Sequence, residues 1–203
     1  PVKNDELIFE EKDETFTCSI GLTSDEKFFI ISTSDHITTE EHFFESISEE
    51  IKPRLFIKRK KDVRYSLDSW KEYFYVHTNE NARDYKILRC KKDNIENLEE
   101  FIPSKKETVI GGLDFLDDYI IRAEKSDAIP KLYARNINTN EEEEIKISNE
   151  PIGVPGASLM QKDTSTSKIR ISWESMATPG KIFEYDIKTK EKKLVKEVEI
   201  PSG

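Results

Sequence analysis

The sequence predicts an all-β fold, a β-propeller of about four four-stranded antiparallel blades forming an open arc. Three observations carry that prediction. First, short stretches rich in β-branched and aromatic residues dominate: "TFTCSIGLT", "KFFIIST", "YFYVHT", "DYIIRAE", "KIRISWE", "KIFEYDI" and "KKLVKEVEI". Second, no long apolar stripe occurs at helical spacing, and the best helical candidate, "NIENLEEFI" (94–102), stops at Pro103. Third, the strands recur. Phe28, Tyr73, Tyr119 and Ile169 open equivalent strands at steps of 45, 46 and 50 residues. Phe44, Ile87, Leu132 and Ile182 mark the following strand at steps of 43, 45 and 50. A step near 45 that holds about four strands is the signature of a propeller blade.

The elements follow in order. The first blade (about 15–60) takes strands at 15–23, 27–34, 39–46 and 53–59. The second (61–104) takes 64–69, 72–78, 84–90 and 99–103; the third (105–149) takes 108–115, 118–124, 130–137 and 141–148. The fourth (150–200) takes 152–161, 168–174, 180–187 and 191–199, the first of them disfavoured by Gly153, Pro155 and Gly156. "ELIFEE" (6–11) reads as the outer strand of a preceding blade. Turn residues agree: "TSDEK" (23–27), "SWKEY" (69–73), "LDDY" (116–119) and "NTNEE" (138–142) place short polar side chains between strands. Neither a repeated WD dipeptide nor a repeated double glycine is present, which argues against WD40 and kelch repeats; the pair Gly111–Gly112 occurs once.

Composition narrows the function classes. Charged residues make up 36% and apolar residues 35% of the 203, a balance suited to thin, half-exposed sheets, while 10% aromatic content argues against disorder. A net charge of −9 excludes nucleic acid and an anionic membrane as expected partners. The basic run "KPRLFIKRKK" (52–61) reads as a solvated edge strand whose lysines block edge pairing, and Glu141 to Glu144 as a solvated rim. Two distant cysteines, Cys18 and Cys90, form no disulfide framework, so a cytoplasmic setting is expected. His36, His42 and His77 lack metal-ligand spacing; no phosphate-binding glycine loop and no G-x-S-x-G elbow occurs. The expectation is therefore no catalytic residue, no metal and no cofactor within this chain. No apolar run approaches the ~20 residues of a membrane helix, and the opening "PVKNDEL" reads as a processed or excised start.

Specific text then resembles a known family. "ELIFEEKDETFTCSIGLTSDEKFFIISTSDHITTEEHFF" (6–44), "YFYVHTNENARDYKILRC" (73–90), "EEFIPSKKETVIGGLDFLDDYII" (99–121) and "ISWESMATPGKIFEYDIKTKEKKLVKEVEIPSG" (171–203) resemble the propeller of the prolyl oligopeptidase family, most of all its oligopeptidase B (protease II) branch. "VIGGLDFL" departs from the family, which more often has an acidic residue after a leucine pair. The resemblance implies four blades of a seven-bladed ring, partnered by an α/β-hydrolase domain that carries the Ser, Asp and His of catalysis. No position here matches that triad. It also implies a parent that hydrolyses short peptides after Arg or Lys, with the propeller restricting entry by size. The loops joining second and third strands, 34–41, 79–84, 125–130 and 175–180, would face the active site. His36, Thr39, Asn79, Arg83 and Thr178 would then line the peptide chamber or brace the domain interface.

The competing reading is a freestanding interaction module from a split or decayed gene. The reading frame beyond residue 203 separates the two, because a continuous frame with a G-x-S-x-G elbow favours the peptidase. Either way, the outward faces of terminal blades leave apolar surface wet at ~25 cal/mol per Å², so self-association of the isolated chain is expected.

Overall fold

The computed structural model describes residues 5–150, 153–158 and 164–199. The expected start at residues 1–4, positions 152 and 159–161 of the thirteenth strand, and the closing 200–203 lie outside the described residues. Four four-stranded antiparallel sheets account for all the strands found: β1 (Thr17–Leu22), β2 (Phe28–Ser34), β3 (Thr39–Glu45) and β4 (Arg54–Ile57); β5 (Tyr65–Trp70), β6 (Tyr73–Thr78), β7 (Lys86–Lys91) and β8 (Glu99–Ile102); β9 (Thr108–Leu116), β10 (Tyr119–Ser126), β11 (Ile129–Asn136) and β12 (Glu142–Glu144); β13 (Val154–Ser158), β14 (Lys168–Glu174), β15 (Lys181–Asp186) and β16 (Lys192–Glu197). Each sheet is a simple meander in chain order. Among the described residues there is no helix. The segment 94–102 instead makes turns and then β8, because Glu100 and Ile102 pair with Leu88 and Ile87.

The chain divides into two compact units, one ending at Ser104 and the other beginning at Lys105.

In the first unit, Phe74 of β6 is fully buried among Phe28, Phe43 and Phe56 of the first sheet, with ring centroids 4.8 to 5.4 Å away. Such tilted and edge-on ring pairs add to the burial of large apolar area. Polar contacts repeat across this seam at the blade step. Ser24 Oγ donates to Asp68 (2.6 Å), and Ser69 Oγ donates to Asp25 (2.8 Å). Burial pushes the Asp25 carboxyl up, yet Lys92 Nζ at 2.7 Å, with Ser69 and Thr23, outweighs it and holds the group below its ordinary value. Glu41 of β3 is 5% exposed and its carboxylate accepts the Leu67 N–H of β5 at 2.6 Å. Beside it, Tyr65 Oη accepts the Glu41 N–H and donates to the Ile57 carbonyl.

In the second unit, Ile121, Leu132, Ala134, Ile145 and Ile147 pack with Ile169, Ile171, Trp173, Tyr185 and Ile187. Inside the third sheet lies Arg122, 1% exposed. Its guanidinium donates to Glu124 (2.6 and 2.8 Å) and to Glu142 (2.7 and 3.0 Å), with Tyr133 under its face at 5.1 Å; Lys105 closes the group onto Glu124. The acidic run is therefore only partly a solvated rim. Glu142 is held by Arg122, Glu143 pairs with Lys190 and Glu144 with Lys131.

The repeat extends to the outer turns. Asn136 Oδ1 accepts the N–H groups of Asn138 and Thr139; fifty residues on, Asp186 Oδ1 accepts those of Lys188 and Thr189. Asn140 and Lys190 then both take the left-handed conformation. "NINTNE" and "DIKTKE" are thus two copies of one Asx-started turn.

Four expectations change. Residues 6–11 form no strand; Phe9 rests on the His42 ring and Glu11 pairs with Arg59, and nothing among the described residues offers the segment a ladder. Only Arg54–Ile57 of the basic run is strand, and it is an edge strand, while Lys58, Lys60 and Lys61 belong to the link into β5. The strand expected at 141–148 shrinks to β12, because after Ile145 N–H bonds the Leu132 carbonyl the chain leaves the ladder. The loop expected at 125–130 is a two-residue turn, Asp127–Ala128, both left-handed, closed by the pair Ser126 and Ile129. The double glycine also finds its role. The register shifts between Arg122 and Glu124, so that Gly111 and Gly112 together oppose Ala123. A Cβ at Gly111 would meet the Ala123 carbonyl oxygen at 2.9 Å.

Candidate functional site

In each blade one hairpin end carries the connection between second and third strands. Residues 35–38 form it in the first blade. Asp35 Oδ1 accepts the N–H groups of Ile37 (2.8 Å) and Thr38 (2.5 Å), and Asp35 N–H donates to the Thr38 carbonyl. The N–H of Ile37 is the main cause holding the Asp35 carboxyl below its ordinary value. The link into β5 packs against this turn: Asp62 N–H donates to Thr38 Oγ1, and Thr39 N–H donates to the Val63 carbonyl.

Thr39 is buried and fully committed. Its hydroxyl donates to the Tyr65 carbonyl at 2.8 Å and accepts the Tyr65 N–H at 2.6 Å, stitching β3 to β5. Asn79 serves the other side of the same link, accepting the Arg64 N–H at 2.7 Å and donating to the Asp62 carbonyl. Thr39 and Asn79 thus hold residues 62–65 from two directions. His36 and Arg83 are exposed at the tips of their loops. Thr39→Ala removes a buried donor and acceptor that hold two blades together, so about 1–3 kcal/mol of stability is expected to be lost in urea denaturation. A loss near zero would show that water replaces the hydroxyl.

In the fourth blade, Ser175 Oγ accepts the N–H groups of Ala177 (3.2 Å) and Thr178 (3.0 Å), and Ser175 N–H donates to the Thr178 carbonyl. This is the 35–38 turn again, with serine in place of aspartate. Glu150 buttresses it, accepting from Ser175 Oγ and from Thr178 Oγ1 (2.7 Å); the Ser175 hydroxyl, then that of Thr178, holds its carboxyl below the ordinary value. Thr178 therefore sits in a closed polar cluster. Sequence reading passed over Asp35, Ser175 and Glu150, although the shared Asp/Ser-x-x-Thr spacing was there to find.

The histidines stay apart in role: His36 is exposed, His42 lies under Phe9, and His77 stacks on Tyr85 at 4.5 Å. Among the described residues no group of three His, Cys, Asp or Glu side chains is placed to hold a metal ion. The hydroxyls at these loops are spent on backbone and carboxylate partners, so the arrangement is one of stiff turns suited to contact.

Four-stranded antiparallel meanders repeated at a step near 45 residues define a β-propeller domain. The family model described as "Prolyl oligopeptidase, N-terminal beta-propeller domain" matches residues 1–198, and the chain belongs to that family. Protease 2 of Moraxella lacunata is 26% identical over 194 residues, which cover 96% of this chain and 28% of that protein. Dipeptidyl aminopeptidase BI of Pseudoxanthomonas mexicana is 26% identical over 204 residues, 99% of this chain and 28% of that protein. Oligopeptidase B from Trypanosoma brucei, in a closed form with covalently bound antipain, shares the fold with a TM-score of 0.86 at 20% identity; the match covers 95% of this chain and 29% of that one. Oligopeptidase B from Leishmania major gives 0.85 at 17% identity, over 95% and 28%. The chain thus spans less than a third of the length of these relatives.

Proposed function

We propose that the chain is the non-catalytic propeller portion of an oligopeptidase-B-like serine peptidase. Its partner is an α/β-hydrolase domain that supplies serine attack, histidine acid–base transfer and a backbone oxyanion hole. The parent cleaves short peptides after Arg or Lys, and the propeller admits those peptides while excluding folded proteins. The family match across residues 1–198, to proteins more than three times as long, carries this reading. On it, the exposed His36 and Arg83 contact peptide or hydrolase, while Thr39, Asn79 and Thr178 brace the loops that do so.

Among the described residues no helix is long and apolar enough to cross a membrane. A reducing cytoplasm fits two free cysteines, of which buried Cys90 has its thiol pushed up to about 11 by burial and is poorly reactive. Self-association of the isolated chain belongs to the same reading, supported by exposed Ile20 and Leu22 on the first sheet and Leu194, Val195 and Val198 at the last.

Purified residues 1–203 should leave an arginyl chromogenic substrate intact, whereas the polypeptide of the full reading frame should hydrolyse it. Turnover by residues 1–203 that survives contaminant controls would overturn the non-catalytic assignment.

A further inference from the structure

The turn from β7 to β8 (residues 92–98) leaves the second blade at the hairpin end opposite the 79–85 connection. Beside it lies a cavity of about 300 Å³ whose lining includes Tyr73, Arg89, Lys91, Asn94, Asn97 and Glu99. Two backbone bonds fix the turn: the Asn94 N–H donates to the Lys91 carbonyl, and the Asn97 N–H donates to the Asn94 carbonyl. Register brings the charged groups together. Arg89 stands between Tyr75 and Glu99 across the ladder, and the period of two puts Lys91 and its partner Tyr73 on the same face.

The Arg89 guanidinium lies over the Tyr73 ring at 4.7 Å and the Phe101 ring at 4.6 Å, and its Nε donates to Glu99 at 2.6 Å. These three contacts hold a side chain that would otherwise sample many rotamers. They leave the edge between Nη1 and Nη2, which bonds no group among the described residues. Arg59 and Arg122 also lie over rings, those of Phe16 and Tyr133, but spend terminal nitrogens on carboxylates. Around the cavity, Arg89 and Lys91 face Glu99 alone, and Glu99 is already bonded.

A guanidinium fork matches two oxygens of an oxyanion, and such charge-assisted bonds are strong and directional. A carboxylate would use the fork and little else. A phosphate brings further oxygens, for which the Asn94 and Asn97 amides and the Lys91 ammonium supply donors in the same lining. We propose that this cavity is a phosphate-binding site, taking the free ion or the phosphate group of a small solute on the Nη1–Nη2 edge of Arg89. It is separate from the loops between second and third strands and does not depend on the reading given under Proposed function.

Titration calorimetry of purified residues 1–203 with inorganic phosphate, at an ionic strength fixed by chloride, should show saturable binding with a Kd on the order of 1 mM. Arg89→Lys keeps the charge but loses the fork, and should weaken binding at least about tenfold. Asn97→Asp changes an exposed turn residue, leaves Arg89 in place and adds a repelling carboxylate to the lining. It should keep the parent's urea midpoint and weaken binding about tenfold. No saturable binding, or either variant binding as tightly as the parent, would overturn the proposal. Acetate binding as tightly as phosphate would overturn the choice of anion. Glycerol phosphate binding more tightly than inorganic phosphate identifies a small phosphorylated solute as the ligand, and the reverse order identifies the free ion.

Discussion

Arg122→Ala should lower the stability of the purified chain by about 3–5 kcal/mol, the largest effect expected of any substitution in the second unit. The reason lies in what stays behind. Glu124 is 5% exposed and would keep only Lys105 as a counter-charge, and Glu142 would lose both of its bonds to the guanidinium. Burial works against the charge of Arg122, but Glu142 and Glu124 outweigh it and hold the guanidinium protonated more firmly than usual. Cutting one member from a buried, saturated group leaves a carboxylate that water cannot reach. Arg122→Lys should recover only part of the loss, since an ammonium cannot reproduce the planar fork that serves Glu124 and Glu142 together. Urea denaturation measures both, read as a fall in midpoint at constant slope. A loss below about 1 kcal/mol for Arg122→Ala would mean that water enters and satisfies the carboxylates.

That network also marks the limit of what the sequence discloses. Strands were legible because β-branched and aromatic runs alternate with Asp, Asn and Lys turns, and because one unit is written four times. Every strand found overlaps the range predicted for it. What the one-dimensional pattern hides is the partner of each polar side chain. Glu142 looks like one of four equivalent acidic residues, and only the pairing of Arg135 with Glu142 across β11 and β12 brings it within reach of β10. Pro130, the expected first residue of its strand, sits opposite Lys125, next to the pair that closes the turn. At that position its missing N–H points away from β10, and β12 reaches only Tyr133 to Arg135, so no ladder bond is lost. At the candidate site the loops were legible as polar punctuation. Which residues are structural followed only from contacts: Thr39 and Asn79 are stitches for residues 62–65.

Raising the pH from 5 to 8 should weaken the joint between the first two blades, through Glu41. Burial raises its carboxyl from an ordinary 4.5 to about 7; the Leu67 N–H and the Ser32 hydroxyl favour the charged form but do not offset it, and Asp68 adds repulsion. Desolvation likewise raises Asp68, with Asp25 adding repulsion. The Tyr65 hydroxyl offers no relief, because it donates to the Ile57 carbonyl. Because the folded-state value lies above the unfolded one, this group's contribution is complete below about pH 4.5 and is lost as pH rises through about 7. A shift of that size corresponds to about 3 kcal/mol at most between pH 5 and 8. Glu41→Gln isolates the effect, since glutamine keeps a neutral acceptor for the Leu67 N–H. The variant should match the parent at pH 5 and exceed it by about 1–3 kcal/mol at pH 8. Asp25 acts with the opposite sign, since its carboxyl is held down by Lys92, so its contribution disappears only on acidification. Parallel stability profiles for parent and Glu41→Gln across that window would show that the carboxylate is solvated in the folded chain.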